Sequence, residues 1–316
     1  MDPIFSSLVT RPTNVQIDLA IQLIQNPDTD LSTNNSYILD IASSAGHEQI
    51  IKLILEDPRK RIDPSIRDNV AIRNAAEKGH SEVVKLLLKD SRVDPAARNN
   101  YCIQLACYYG RTEVVELLLN ESNFRVDPST EDNYAICLAS ENGRDKVVKI
   151  LLDDPRVNPA DNYNYCITNA VSNGHLETVE ILLNDSRVDP SVSNNLCIVN
   201  ACTEGFQRIV TLLLKSGRVD PSCRENHCIK KACQKGFLGV VSELCEDKRV
   251  DLRVGLKVGL KAGVDRGEIV KFLIWKLNRE VLMLTLEAWN VIEDFVEEFS
   301  DVMGIVQRYI IILECD

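Results

Sequence analysis

A repeat of about 31 residues dominates this sequence and limits what the chain can fold into. A turn residue, Asp or Asn, returns at steps of 33, 31, 33, 31, 31, 31 and 31 residues. These turn residues are Asp30, Asp63, Asp94, Asp127, Asn158, Asp189, Asp220 and Asp251. A glycine keeps the same period, at Gly46, Gly79, Gly110, Gly143, Gly174, Gly205 and Gly236. Such a period indicates a stack of similar units, each burying its apolar face on its neighbours.

Each unit reads as a turn, a helix, a tight turn and a second helix. In the copy from 94 to 119, Asp94-Pro95 starts a turn, because proline fixes φ and aspartate can bond its own backbone. Gly110 ends the first helix, and the second carries valines and leucines on its inner side. An asparagine recurs six residues after the turn residue, where we expect it to cap the first helix. The repeated asparagines are Asn69, Asn100, Asn133, Asn164, Asn195 and Asn226.

The unit resembles the ankyrin repeat. Residues 79–88 read Gly-His-Ser-Glu-Val-Val-Lys-Leu-Leu-Leu, which is the family's second-helix pattern, and 174–183 vary it slightly. The family's Thr-Pro-Leu-His is replaced, for example by Val-Ala-Ile-Arg at 70–73 and Tyr-Cys-Ile-Gln at 101–104, so its usual inter-repeat hydrogen bonds are in question. This form of the repeat is similar to the repeats in ankyrin arrays of large DNA viruses and protists. The resemblance covers about residues 30–278 and implies an all-α ankyrin-repeat solenoid with a helical C-terminal cap.

Three segments are predicted. Residues 1–29 hold a leader and a capping helix, and residues 30–278 hold seven full repeats and a degenerate eighth. In that eighth unit glycines recur every four residues from Gly255 to Gly267, which favours close packing on repeat seven. Residues 279–316 form an acidic helical segment, with nine acidic and two basic residues. Its apolar stripe over 289–313 fits either a cap on the last repeat or a coiled-coil dimer; its width favours the cap and a monomer.

The amino-acid composition limits the classes of partner and the cellular compartment that we expect for this protein. The net charge of −11 argues against nucleic acid and anionic membranes as partners. Neither a signal peptide nor a membrane-spanning run is visible. Most of the 11 cysteines lie at repeat-equivalent helix positions, and equivalent cysteines of adjacent repeats are too far apart for disulfides. We therefore interpret these cysteines as small buried apolar residues of a protein in a reducing compartment. We therefore expect an intracellular, cytoplasmic protein, located in the cytoplasm of a host cell or in the virion if the source is viral.

No catalytic chemistry is predicted. His47, His80 and His175 follow repeat glycines, a position that the ankyrin pattern fills for structural reasons, and no nucleophile accompanies them. Phosphate-binding and zinc-protease motifs are missing from the sequence. The expectation is a non-enzyme without a cofactor, a metal site or catalytic residues.

Function is expected at the positions that vary between copies. The turn tips vary, at Arg67, Arg98, Glu131, Asp161, Ser193 and Arg224, and so do the ends of the first helices. Arginine and tyrosine are favoured in interfaces. The predicted partner-binding residues are Arg67, Arg98, Tyr108, Tyr109, Glu141, Asn142, Asn173, Arg224 and Lys235.

The leading hypothesis is a protein-interaction scaffold that binds a partner through the concave face of the array. One alternative is an adaptor or host-directed effector whose acidic C-terminal helices recruit other machinery, such as a ubiquitin ligase. Another is a structural component of a larger assembly such as a virus particle.

Overall fold

A computed structural model describes residues 14–26, 35–121, 126–262 and 267–282. Every regular element in these ranges is an α-helix, which confirms the predicted all-α class. The chain divides into two compact units, residues 1–219 and 220–316. The segment 283–316 lies outside the described residues, so the cap and the coiled coil both stay predictions for it. None of the described helices has the length and apolar character that crossing a membrane requires.

The first unit contains two layers of helices. The first helices of successive repeats are α2 (Asn35–Ala45), α4 (Ile66–Lys78), α6 (Ala97–Tyr109), α8 (Thr130–Glu141), α10 (Asp161–Ser172) and α12 (Val192–Glu204). The second helices are α3 (Glu48–Glu56), α5 (Ser81–Leu88), α7 (Thr112–Glu121), α9 (Asp145–Leu152), α11 (Leu176–Asn184) and α13 (Gln207–Lys215). First helices pack on first helices and second helices on second helices, and α1 (Asn14–Gln25) packs on α3 in the second layer.

The core lies between the two layers. Each first helix contributes an isoleucine or leucine and a small residue, and each second helix contributes residues drawn from valine, isoleucine and leucine. In the third repeat, Ile103, Ala106, Val115 and Leu118 are completely buried. The apolar side of each helix is thus buried against helices of the adjacent repeats and of the other layer, as a stacked repeat requires.

An unusual turn begins each first helix from α4 onward. Three successive residues adopt the left-handed conformation there, with φ between 50 and 62°, at 67–69, 98–100, 131–133, 162–164 and 193–195, and at 224–226 in the second unit. Residues other than glycine pay about 1–2 kcal/mol for this conformation, and asparagine and aspartate tolerate it best. The third of the three residues is always asparagine. The sequence prediction that Asp161 is a turn tip is wrong by one residue, because Asn162 holds the equivalent position.

The repeated asparagines join neighbouring repeats, and they do not cap their own helices as the sequence suggested. Oδ1 of Asn100 accepts a hydrogen bond from the backbone N–H of Asp127, 2.8 Å away in the next repeat. Asn69, Asn133 and Asn164 make the same bond to residues 94, 158 and 189, at 2.7–2.8 Å. These side chains are 3–6 % exposed, so they satisfy buried backbone donors between repeats. They supply inter-repeat hydrogen bonds in a chain that lacks the family's threonine and histidine.

An arginine ahead of the turn residue makes a second link between repeats. Arg156 forms a bidentate ion pair with Asp154, with nitrogen–oxygen distances of 2.9 and 2.6 Å. Its Nη1 also donates to the carbonyl of Val126 in the preceding repeat, at 2.9 Å. Arg92, Arg187 and Arg218 donate to the equivalent carbonyls 30 residues earlier. The sequence pattern alone does not indicate this role.

The repeat glycines leave room for a side chain of the next repeat. Gly143 has a φ of 63°, and a Cβ atom there would lie 2.6 Å from Nδ1 of His175. The His175 ring is held in place because its Nε2 donates to the Glu141 carbonyl at 2.9 Å. His80 has the same arrangement with Gly46 and the Ser44 carbonyl. These two histidines therefore have a structural role, which agrees with the sequence interpretation.

The second unit contains α14 (Cys223–Lys235), α15 (Leu238–Leu244), α16 (Leu252–Lys261) and α17 (Gly267–Leu282). Helix α14 packs on α15 and α16, and α16 packs on α17. Gly255 is buried on α16, where a Cβ atom would lie 2.8 Å from Cγ1 of Ile229. The small residue thus permits close packing on repeat seven, as the sequence indicated for this position.

Candidate interaction surface

A row of tyrosines runs along the first-helix layer of the first unit. Tyr37, Tyr101, Tyr134 and Tyr165 occupy equivalent positions, and each is 40–44 % exposed. The last three directly follow the buried asparagine of the left-handed turn. Because the first helices stack on one another, Tyr101, Tyr134 and Tyr165 succeed each other from repeat to repeat, whereas Val70 occupies the equivalent position between Tyr37 and Tyr101. Half-exposed aromatic side chains at regular intervals are suited to protein contacts, since they bring large area at low entropy cost.

Tyr163 adds a further ring beside Tyr165. It is 83 % exposed and is the second residue of the left-handed turn in its repeat, with a φ of 56°. The equivalent residues of the first unit are Asp68, Asn99, Asp132 and Asn194, all of types that accept this conformation more readily. A bulky aromatic residue in a strained, exposed position is typical of a functional role and is unfavourable for folding.

Three arginines surround the beginning of the tyrosine row. The guanidinium carbons of Arg73 and Arg98 each lie 5.9 Å from the centroid of the Tyr101 ring, and that of Arg67 lies 5.2 Å from the Tyr37 ring. These distances are within the range of cation–π attraction. Arg67 also forms an ion pair with Asp40. We call Arg73, Arg98 and Tyr101 the arginine–tyrosine cluster.

Arg73 is the buried member of this cluster. It is 8 % exposed, its Nη2 donates to the Arg67 carbonyl at 3.3 Å, and its Nη1 has no hydrogen-bond partner. Burial, together with the positive charge of Arg98, lowers the pKa of Arg73. A buried guanidinium is unfavourable unless a negative group compensates it. Within the described part of the chain, neither Arg73 nor Arg98 forms an ion pair.

The surface becomes acidic in the next repeats. Glu131, at the turn that follows Arg98, accepts hydrogen bonds from Asn99 at 3.1 Å and from Gln104 at 3.2 Å. Asp132 is exposed beside it, and Asp161 contacts Asn133 in the following turn. The tyrosine row therefore starts among arginines and continues among carboxylates.

The structure places the predicted site residues in separate groups. Arg67 and Arg98 are exposed at the first left-handed position of their turns. Tyr108 and Tyr109 contact each other edge to face, with ring centroids 4.9 Å apart, at the opposite end of α6 from Arg98. The side chains of Asn142 and Asn173 donate to carbonyls of their own helices, at 2.8 and 3.0 Å. These two amides stabilise helix ends and leave little for a partner.

The remaining predicted residues have less in common. Glu141 is half-buried; its carbonyl accepts from His175 and its carboxylate from Asn169, at 3.4 Å. Arg224 and Lys235 are exposed at the two ends of α14 in the second unit. The prediction missed Tyr101, Tyr134, Tyr165, Tyr163 and Arg73. A signal for the first three was present, because tyrosine follows the repeated asparagine in three successive copies.

Among the described residues, no three histidine, cysteine or acidic side chains are grouped as metal ligands. The ten cysteines in these ranges are buried and unpaired by disulfides. Sγ atoms of Cys137 and Cys166, which occupy non-equivalent positions of adjacent repeats, lie 2.8 Å apart. The arrangement of the described side chains thus offers contact surface and charge.

Comparison with known proteins supports the same fold. The family model described as ankyrin repeats (3 copies) matches residues 72–162. The chain is similar to the solved ankyrin repeat domain of Bcl-3, a member of the IkappaB protein family, with 21 % identity and a TM-score of 0.52. The alignment covers 70 % of this chain and 99 % of that domain. A search of curated proteins gives no match. With the repeats, the helix layers and these likenesses taken together, the chain has an all-α ankyrin-repeat fold, and residues 72–162 match the family model itself.

Proposed function

We propose that this protein is a non-enzymatic scaffold that binds a protein partner through the first-helix face of its first unit. Ankyrin repeats in general serve protein–protein interaction. The observation that carries the proposal is the row formed by Tyr101, Tyr134 and Tyr165, each about 40 % exposed at equivalent positions. The other repeated residues of the turns make contacts within the stack, whereas these rings face solvent. Their function is therefore best explained by an external contact.

The site comprises the tyrosine row, Tyr163, and the exposed arginines Arg67 and Arg98. It lies on the side that an ankyrin array presents as its concave face. Tyr108 and Tyr109 extend it toward the far end of α6, where each ring is about 40 % exposed. Glu141, Asn142 and Asn173 are peripheral in this proposal, and Arg224 and Lys235 of the second unit are a separate candidate surface.

Proximity labelling in cells tests this proposal. The bait is the full chain, and the test variant is Tyr101→Ala/Tyr134→Ala/Tyr165→Ala. The control variant is Glu116→Ala/Lys149→Ala/Glu180→Ala, which changes exposed residues of the second helices α7, α9 and α11. We expect the tyrosine variant to lose a set of labelled proteins that the control retains, with both variants showing native circular dichroism. Equal labelling by all three proteins would contradict the proposal.

Removing the acidic C-terminal segment distinguishes the scaffold hypothesis from the adaptor hypothesis. A chain shortened to residues 1–278 should keep its direct partners if the protein is a scaffold. If it is an adaptor or effector, the shortened chain should keep the target and lose ligase subunits or other recruited machinery. Buried thiols without disulfides favour a reducing compartment, so we place this interaction in the cytoplasm.

A further inference from the structure

The arginine–tyrosine cluster contains two cations that share one aromatic ring and form no ion pair with any carboxylate that the structure describes. Arg73 is buried behind Tyr101, while Arg98 and the ring itself are exposed. Two like charges this close repel each other, and the partial negative charge of a ring face compensates them only in part. The cluster is therefore electrostatically incomplete in the isolated chain.

The nearby carboxylates of the chain do not complete it. Asp40 is paired with Arg67, and Glu131 accepts from Asn99 and Gln104. Burial has the largest effect on the pKa of Arg73 and lowers it. The negative charge of Asp68 acts in the opposite direction and is too weak to compensate. Asp68 makes no ion pair with Arg73 or Arg98 in the described structure. A negative group is thus still needed at the exposed side of the cluster.

We infer that the arginine–tyrosine cluster binds a carboxylate side chain from an acidic segment of the protein partner. This inference rests on the proposed function and identifies the chemistry of one contact in it. The carboxylate would accept hydrogen bonds from the Arg98 guanidinium above the Tyr101 ring. It would also reduce the unfavourable field at Arg73 without touching that residue. A partner that covers the site excludes water, which strengthens both effects.

The surroundings favour a carboxylate of a protein over a phosphate of nucleic acid. A single-stranded nucleic acid that stacked its bases along the tyrosine row would bring one phosphate after another past Glu131 and Asp132. These carboxylates would repel it, in a chain whose net charge is already −11. A peptide can carry an acidic residue at the cluster and apolar or basic residues beyond it. The charge pattern of the row fits such a peptide.

Selection from a display library of random 12-residue peptides tests the inference. The targets are the full wild-type chain, Arg98→Glu, and Arg208→Glu as a control for the same charge change at an exposed residue of the second-helix layer. We expect peptides selected on the wild type and on Arg208→Glu to be enriched in aspartate and glutamate. On Arg98→Glu the enrichment should shift to lysine and arginine. A selected peptide in which glutamine replaces the acidic residue should bind the wild type at least about tenfold more weakly.

Each other outcome counts against the inference. Failure to select any peptide, or acidic enrichment that Arg98→Glu leaves unchanged, would overturn it. Tighter binding of a phosphoserine counterpart or of a single-stranded oligonucleotide would reassign the cluster to phosphate. Peptides without acidic residues that lose binding in the Tyr134→Ala variant would refute the carboxylate contact and leave the proposed function intact. Because Arg98 is exposed, its variants change the charge beside the buried Arg73 and leave the packing of Arg73 in place.

Discussion

At the scale of single residues, the repeated asparagine stabilises the stack, and the tyrosine that follows it belongs to the proposed interaction surface. In three successive repeats the asparagine at the end of the left-handed turn accepts a backbone hydrogen bond from the next repeat, whereas the tyrosine after it is about 40 % exposed. Two adjacent residues of one turn therefore serve the stack and the surface separately. The repeated asparagine was visible in the sequence, but its bond was not, because the acceptor and the donor are 25 or 27 residues apart.

Replacing Asn100 should separate the two contributions of these asparagines. Asn100→Gly keeps the left-handed turn and loses the bond to Asp127, so it should lower the free energy of unfolding by about 1–3 kcal/mol. Asn100→Ala should cost about 1 kcal/mol more, because alanine disfavours a φ of 62°. Urea denaturation measures both, with the exposed Asn120→Ala as the control. Equal stability of the glycine variant and the wild type would show that the inter-repeat bond contributes nothing.

Tyr163→Asn should stabilise the fold and weaken partner binding. Asparagine tolerates the left-handed conformation and occupies this position in two other copies, while the tyrosine ring is 83 % exposed and packs little. We expect a gain of about 0.5–1 kcal/mol in unfolding free energy. Thermal denaturation and the affinity of the captured partner provide the two readouts. A less stable variant would mean that the Tyr163 ring makes packing contacts that matter for folding.

At the scale of secondary-structure elements, the links between repeats are polar and recur in most of the copies that the structure describes. Asparagine joins each turn to the next, and arginine joins its turn to the preceding one. The alternation of helices and turns could be predicted from the period, the glycines and the apolar stripes alone. The left-handed turns could not, because runs of such residues are uncommon outside glycine-rich segments. The arginines were overlooked because an Asp-x-Arg pair resembles an ordinary exposed salt bridge.

The aspartate–arginine pairs should make the stack sensitive to acid. Hydrogen bonds from Arg92, Arg156 and Arg187 lower the pKa values of Asp90, Asp154 and Asp185 below that of a free aspartate. Their stabilising effect is therefore complete above about pH 4, the pKa of an unfolded chain, and decreases as the pH falls toward the folded pKa.

Asp154→Asn provides the test of this dependence. The variant should be less stable than the wild type at pH 7, and the difference should shrink as the pH is lowered from 5 to 3. Urea midpoints across this pH range measure it, with the exposed Glu180→Gln as the control. A difference that stays constant down to pH 3 would mean that the ion pair does not contribute through the charge of Asp154.

At the scale of the whole molecule, the described cysteines behave as core residues. Burial raises the pKa of Cys102 to about 12, that of Cys197 to about 11 and that of Cys233 to about 12. Ellman's reagent at pH 8 should therefore detect at most one rapidly reacting thiol in the native protein, at Cys315, and all 11 in the denatured protein. Several fast thiols in the native protein would show that the helix layers open readily.

The repeat architecture was predictable over most of the chain, since each copy confirms the others. The interaction surface was less predictable from the sequence. Arg98, Tyr108 and Tyr109 were all predicted as partner-binding residues; the two tyrosines lie at the opposite end of α6 from Arg98, and Tyr101 is the ring that contacts Arg98. Which side chains meet across a stack depends on positions about 31 residues apart. A single sequence shows that these positions are equivalent and does not show which of them are exposed.

The most direct test of the central claim is the affinity of a captured partner for the full chain, measured by isothermal titration calorimetry. We expect Tyr101→Ala/Tyr134→Ala/Tyr165→Ala to weaken binding at least about 100-fold, because buried aromatic anchors contribute most of the energy of an interface. The second-helix control Glu116→Ala/Lys149→Ala/Glu180→Ala should stay within about twofold of the wild type, as expected of residues outside an interface. Wild-type affinity in the tyrosine variant, or a comparable loss in the control, would contradict the claim.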